Sequence, residues 1–132
     1  MLDMFTDCDF LFGTYKTIRY MLQQNMNVYQ YILSYEGSLS SGYGVTHGED
    51  LVYLFDPPFG TDEPISEEDQ QVRNVMMSAW TNFAEFGDPK NGWTKSILDS
   101  DQQYWNITGA EPSMEGRQEV KNRMTFWDQL FE

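Results

Sequence analysis

Residues 28–35 read VYQYILSY, and β-branched and aromatic side chains dominate the run. Such residues suit the pleated, packed surface of a strand. Val28 and Ile32 fall on one face, and Tyr29, Tyr31, Leu33 and Tyr35 on the other. Apolar residues on both faces predict a central strand covered by helices on both sides.

The flanking segments supply those helices. Upstream, residues 10–24 carry Leu11, Tyr15, Ile18 and Leu22 at helical spacing, one apolar stripe. Thr6 with Asp9 three places on predicts a capping box at its start. Downstream, residues 36–44 and 56–64 have loop composition. Residues 66–86 predict the strongest helix: Ser66 as N-cap, Asp69 completing a capping box, and Glu67 and Glu68 at the positive helix start. Its inward face is expected to hold Val72, Val75, Met76, Ala79, Phe83 and Phe86, with Gly87 stopping it. Residues 90–103 have turn chemistry. Residues 104–108 form a short strand candidate, and residues 117–131 a last amphipathic helix with Val120, Met124, Trp127 and Phe131 inward.

This order is an α/β pattern. One strong strand that looks central, with at most one weak neighbour, is marginal by itself. Residues 1–132 therefore read as the end of a larger sheet, an incomplete one, with an exposed strand edge that predicts poor folding or aggregation in isolation.

Composition narrows the function. Hydrophobic content of 40% and aromatic content of 16% call for a packed core. Twenty-one acids against eight bases give a net charge of −13. That balance argues against nucleic acid as a partner, because phosphate binding needs clustered bases. No apolar run is long enough for a membrane span. The opening residues MLDMFTDCDFLFG place acids where a signal peptide has bases, so no export signal is expected in the chain as given. Cys8 is the single cysteine, and no Cys/His spacing suits zinc.

The single histidine, His47, lies in GVTHGEDLVYLF, residues 44–55. It follows the strand by about a dozen residues. In open α/β sheets ligands bind beyond the carboxyl ends of strands, so a histidine there is a candidate general base. From position alone, a surface histidine without a role is the competing reading. His47, Glu49 and Asp50 crowd too closely to surround a metal ion, and the acids suit the start of a helix over LVYLF.

GVTHGEDLVYLF resembles the catalytic-histidine segment of the type-B carboxylesterases, the carboxylesterase and cholinesterase branch of the α/β-hydrolases, and is nearest to arthropod members. TDCDFLFG, VYQYILSYEG, AWTNFAEFGDPKNGW and MTFWDQLFE resemble further segments of that family, in family order. The resemblance covers essentially all 132 residues and implies the C-terminal portion of an α/β-hydrolase fold with an incomplete sheet. It assigns the triad histidine to His47 and a supporting role at most to Asp50. Phe12 and Met124 stand where cholinesterase-like members place a disulfide, so Cys8 is expected to be a free, partly buried thiol.

A serine esterase also needs a nucleophile on a Gly-x-Ser-x-Gly elbow, an orienting acid and oxyanion donors. None of these motifs occurs here, and Glu36 and Glu49 lie too close to His47 in sequence to be the family's orienting acid. The expectation is a segment inactive alone that acts on small-molecule carboxylic esters, without a cofactor or metal, when an N-terminal part completes it. The alternative is a piece of a non-catalytic, esterase-like adhesion or interaction protein. Asn106 opens an Asn-Ile-Thr sequon and is a glycosylation candidate, since the family is often secreted or in the endoplasmic reticulum; the chain itself leaves localisation open.

Overall fold

A computed structural model describes residues 2–38, 40, 42–55, 64–98, 103–116 and 118–131. Most of the expected loop at 56–64 lies outside them. The elements run α1 (Leu2–Thr6), a π-helical segment (Asp7–Leu11), α2 (Phe12–Gln23), β1 (Tyr31–Leu33), α3 (Leu51–Leu54), α4 (Glu67–Phe86), β2 (Gln103–Ile107), β3 (Ser113–Gly116) and α5 (Gln118–Phe131). The chain divides into two compact units. One holds residues 1–30, 95–104 and 115–132, and the other residues 31–94 and 105–114.

In the first unit, Tyr15 and Ile18 of the predicted stripe are buried and Leu11 and Leu22 half-buried. The helix starts earlier than its capping signal suggests. Thr6 has helical torsions (φ −57°, ψ −43°) and makes no side-chain cap bond, because the chain is already helical before it. Within the π-helical segment Asp7 is buried; its carboxylate accepts a hydrogen bond from Arg123 Nη2 (3.0 Å) and lies at ion-pair distance from Arg123 Nε (2.8 Å). Neighbouring Cys8 is exposed rather than partly buried: the buried side of this turn is taken by Asp7. On α5, Met124 is fully buried, and Val120 and Trp127 are half-buried. Phe131 is 62% exposed, against expectation. Its ring is nonetheless stacked with Phe12 (5.5 Å) and Trp127 (5.9 Å).

The second unit is built on a parallel pair. Tyr31, Ile32 and Leu33 of β1 register with Trp105, Asn106 and Ile107 of β2, and Ser34 N–H extends the ladder to Ile107 C=O (2.9 Å). The sheet order is β1-β2-β3, so the centre of the described sheet is β2, not the strand at 28–35. β1 is half-buried throughout, whereas Tyr104 to Ile107 are all buried. The apolar composition of 28–35 overstated the strand because a ladder extends only as far as a partner runs beside it. β3 was not anticipated; SMEG lacks β-branched residues and takes its conformation from pairing with β2.

The second half of the unit is α4. Its capping box is formed as expected: Asp69 N–H donates to Ser66 Oγ (3.0 Å), and Ser66 N–H donates to Asp69 Oδ2 (2.9 Å). Gly87 ends the helix in the left-handed region (φ +66°), its N–H bonding Phe83 C=O. Val72, Met76 and Ala79 are fully buried. Phe83 and Phe86, expected inward, are 48% and 57% exposed. A 20-residue helix is about 30 Å long. Three residues of β1 span about 10 Å. The end of the helix thus outruns the strand.

Tyr31, Trp80, Trp93 and Trp105 form a connected aromatic cluster. Tyr31 meets Trp80 edge-on at 4.7 Å, and Trp93 stacks on Trp105 at 4.8 Å. Met76 is buried in the same unit. Met76→Ala is expected to destabilise the chain by about 2–5 kcal/mol through lost transfer energy and a residual cavity. Urea unfolding followed by tryptophan fluorescence measures it; a change below about 1 kcal/mol would contradict this core assignment.

Candidate functional site

The chain leaves the carboxyl end of β1 at Ser34 and enters the loop that carries His47. Its first turn is fixed by a single buried side chain from α4. The Asp69 carboxylate accepts Ser38 N–H (3.2 Å), Ser38 Oγ–H and Tyr53 Oη–H (3.4 Å), beside the Ser66 bonds of its capping box. Gly37 makes this approach feasible: a Cβ there would collide with Asp69 Oδ1 and Tyr53 Oη. Burial of Asp69 pushes its pKa up, but the hydrogen bonds from Ser38 and Ser66 outweigh it and hold the carboxyl well below the usual carboxylate range. Tyr53 responds oppositely: burial, then the Asp69 charge, raises its hydroxyl far above an ordinary tyrosine.

Further along, Gly44 (φ +90°) and Gly48 (φ +84°) take left-handed conformations on either side of His47. Such torsions favour glycine. His47 is exposed and begins a turn over residues 47–50 that leads into α3. In that turn Glu49 N–H reaches Thr46 C=O (3.2 Å) and Leu51 N–H reaches Gly48 C=O (3.0 Å).

The two acids after His47 go separate ways. Asp50 stands before α3 with helical torsions and no side-chain cap bond; its Oδ2 accepts Tyr31 Oη–H at 2.7 Å. This ties the histidine turn back to β1. Burial first, then the bond and charge of Asp50, raise the Tyr31 hydroxyl far above its ordinary value. Glu49 is buried, and its carboxylate turns to Thr46 and Ser40. The helix-opening reading of these acids is half right: α3 begins where expected, but the acids brace the loop rather than cap the helix. Among the described residues, no three His, Cys, Asp or Glu side chains converge as a metal site, and no helix is long and apolar enough to cross a membrane. Asn106 lies in β2, opposite Ile32, and is 5% exposed.

The sequence model of the carboxylesterase family matches residues 1–127. This chain belongs to the carboxylesterase family. It is 29% identical over 145 residues to the bile salt-activated lipase of Bos taurus, covering all of this chain and 24% of that protein. It is 29% identical over 102 residues to the juvenile hormone esterase of Tribolium castaneum, covering 67% of this chain and 17% of that protein. The crystal structure of juvenile hormone esterase from Manduca sexta, with OTFP covalently attached, superposes with a TM-score of 0.83 at 21% identity, over 98% of this chain and 28% of that one. The architecture is therefore part of an α/β-hydrolase fold. The carboxylesterase-family chain spans about a quarter of the length of the bovine lipase.

Sequence reasoning reached His47 and Asp50 but not Tyr31 as the partner of Asp50, nor Ser38 and Tyr53 as partners of Asp69. Ser66 and Asp69 were legible as a local cap. The second set of bonds on the same carboxylate crosses 31 residues and carries no local signal.

Two outcomes test the clamp. Gly37→Ala is expected to cost at least about 2 kcal/mol in urea unfolding, since the new Cβ displaces the Asp69 contacts. The pH dependence has a defined sign. In acid the unfolded chain binds a proton at Asp69 that the folded chain resists, so this contribution to stability is full above the ordinary carboxylate range and is lost as pH falls. Wild-type stability should therefore decline more steeply than that of Asp69→Asn below about pH 4; parallel profiles would contradict it.

Proposed function

We propose that His47 is the acid–base histidine of a serine carboxylic-ester hydrolase, to which residues 1–132 contribute the C-terminal segment. The observation that carries this reading is an exposed imidazole, in a braced loop beyond the carboxyl end of a parallel strand, within a carboxylesterase-family chain.

The chemistry is acyl transfer. A serine hydroxyl attacks the ester carbonyl while His47 accepts its proton; the imidazolium then protonates the leaving alcohol. The same imidazole next removes a proton from water as it attacks the acyl-enzyme, releasing the acid and restoring the serine. The nucleophile, the orienting acid and the oxyanion donors come from outside residues 1–132, which hold no Gly-x-Ser-x-Gly. Each absent oxyanion donor forfeits about 3–4 kcal/mol of transition-state stabilisation, so the segment alone hydrolyses no ester. Substrates are small-molecule carboxylic esters. Asp50 supports His47 indirectly, by tying its turn to Tyr31. The burial of Asn106 supports its role as a packing residue of β2, unglycosylated in the folded chain.

Complementation tests this reading. The 132-residue chain is mixed with a separately expressed portion carrying the serine, the acid and the oxyanion hole, and ester hydrolysis is assayed. Activity is expected only from the pair, and His47→Ala should lower it by at least about 10³-fold. Hydrolysis that survives this substitution would sink the assignment.

A further inference from the structure

Glu49 is a carboxylate only 8% exposed, held by hydroxyls and a backbone amide of the described residues. A buried charge is tolerable only when its lone pairs are occupied. Those of Glu49 are occupied by three donors: Thr46 N–H (2.9 Å), Thr46 Oγ1–H (3.1 Å) and Ser40 Oγ–H. Thr46 immediately precedes His47, and Glu49 follows it by two places. The backbone closes the same ring from the other side, with Glu49 N–H on Thr46 C=O at 3.2 Å.

His47 and Gly48 are thus enclosed between two residues joined by three hydrogen bonds. The arrangement resembles a capping box, with Thr46 at the N-cap and Glu49 three places on. It differs in one respect: the threonine hydroxyl donates to the carboxylate instead of receiving an amide. Gly48, at φ +84°, supplies the left-handed residue inside this ring. The Ser40 bond adds what a local cap lacks, since it ties the turn to the earlier part of the same loop. Asp50 meanwhile ties the next residue to β1.

We infer that Glu49 is the positioning residue of the histidine turn: through Thr46 and Ser40 it fixes the backbone on both sides of His47, and with it the place from which the imidazole reaches a substrate. The inference rests on His47 being the acid–base residue. A group moved by about 1 Å from its productive place loses on the order of 10²-fold in rate, so a buried carboxylate spent on backbone geometry here has a functional return.

The test separates the two readings. In the 132-residue chain His47 is the single histidine, so its imidazole resonances are assigned by composition. Glu49→Ala should speed amide exchange at Thr46 by about tenfold and shift the His47 resonances toward those of the unfolded chain, while α4 amides keep their protection. Glu49→Gln retains an acceptor oxygen and should recover most of both. If Glu49→Ala does not fold, Thr46→Val and Ser40→Ala, each deleting one donor hydroxyl, should produce smaller shifts of the same kind. In the complemented enzyme, Glu49→Ala should lower kcat by about 10²-fold with KM changed less than about threefold, and Glu49→Gln should restore part of it. A folded Glu49→Ala chain with wild-type exchange and His47 resonances overturns the inference, as does unaltered kcat. Loss of the His47 assignment would appear instead as activity in His47→Ala.

Discussion

The Asp69 carboxylate serves two separated parts of the chain at once. Toward its own helix it completes the capping box with Ser66 at the start of α4. Toward the loop after β1 it takes the backbone and hydroxyl of Ser38, and the Tyr53 hydroxyl as well. Full burial of a carboxylate opposes its ionisation; enough donors converge here that the ionised form wins. Because Gly37 has no Cβ, the loop can come close enough to be held. The exit of the chain from the sheet, and hence the path toward His47, depends on this contact.

The same device recurs toward the other end of the loop. Glu49 is satisfied by Thr46 and Ser40, and Asp50 by Tyr31. In a chain with 21 acids and eight bases, hydroxyls and amides do the work that lysine and arginine do elsewhere. Neutral donors satisfy a carboxylate with less desolvation than a second buried charge would bring. Asp7, in the other unit, is the contrasting case, paired with Arg123. Where hydroxyls brace the loop, the imidazole is left exposed beyond the strand end.

Large apolar side chains stay exposed in both units. β2 is flanked by β1 and β3, while β1 has a strand on one side only among the described residues. Phe83, Phe86 and Phe131 follow helical periodicity and are still about half exposed, because periodicity aligns side chains on a face without by itself burying that face.

What the sequence determined by itself is local or compositional. The Ser66 and Asp69 cap, the Gly87 stop, the Tyr15 and Ile18 stripe and the α5 helix each depend on residues within a turn of one another. Such patterns are legible because their energetics close over a few residues. The family was legible too, since its motifs fall in order along the chain. Tertiary structure alone decided that YWNIT is the central strand, that SMEG pairs with it, that Tyr31 meets Asp50, and that Asp69 reaches Ser38. Each of these joins residues far apart in sequence. A carboxylate advertises that it needs donors, but only the folded chain determines which donors arrive.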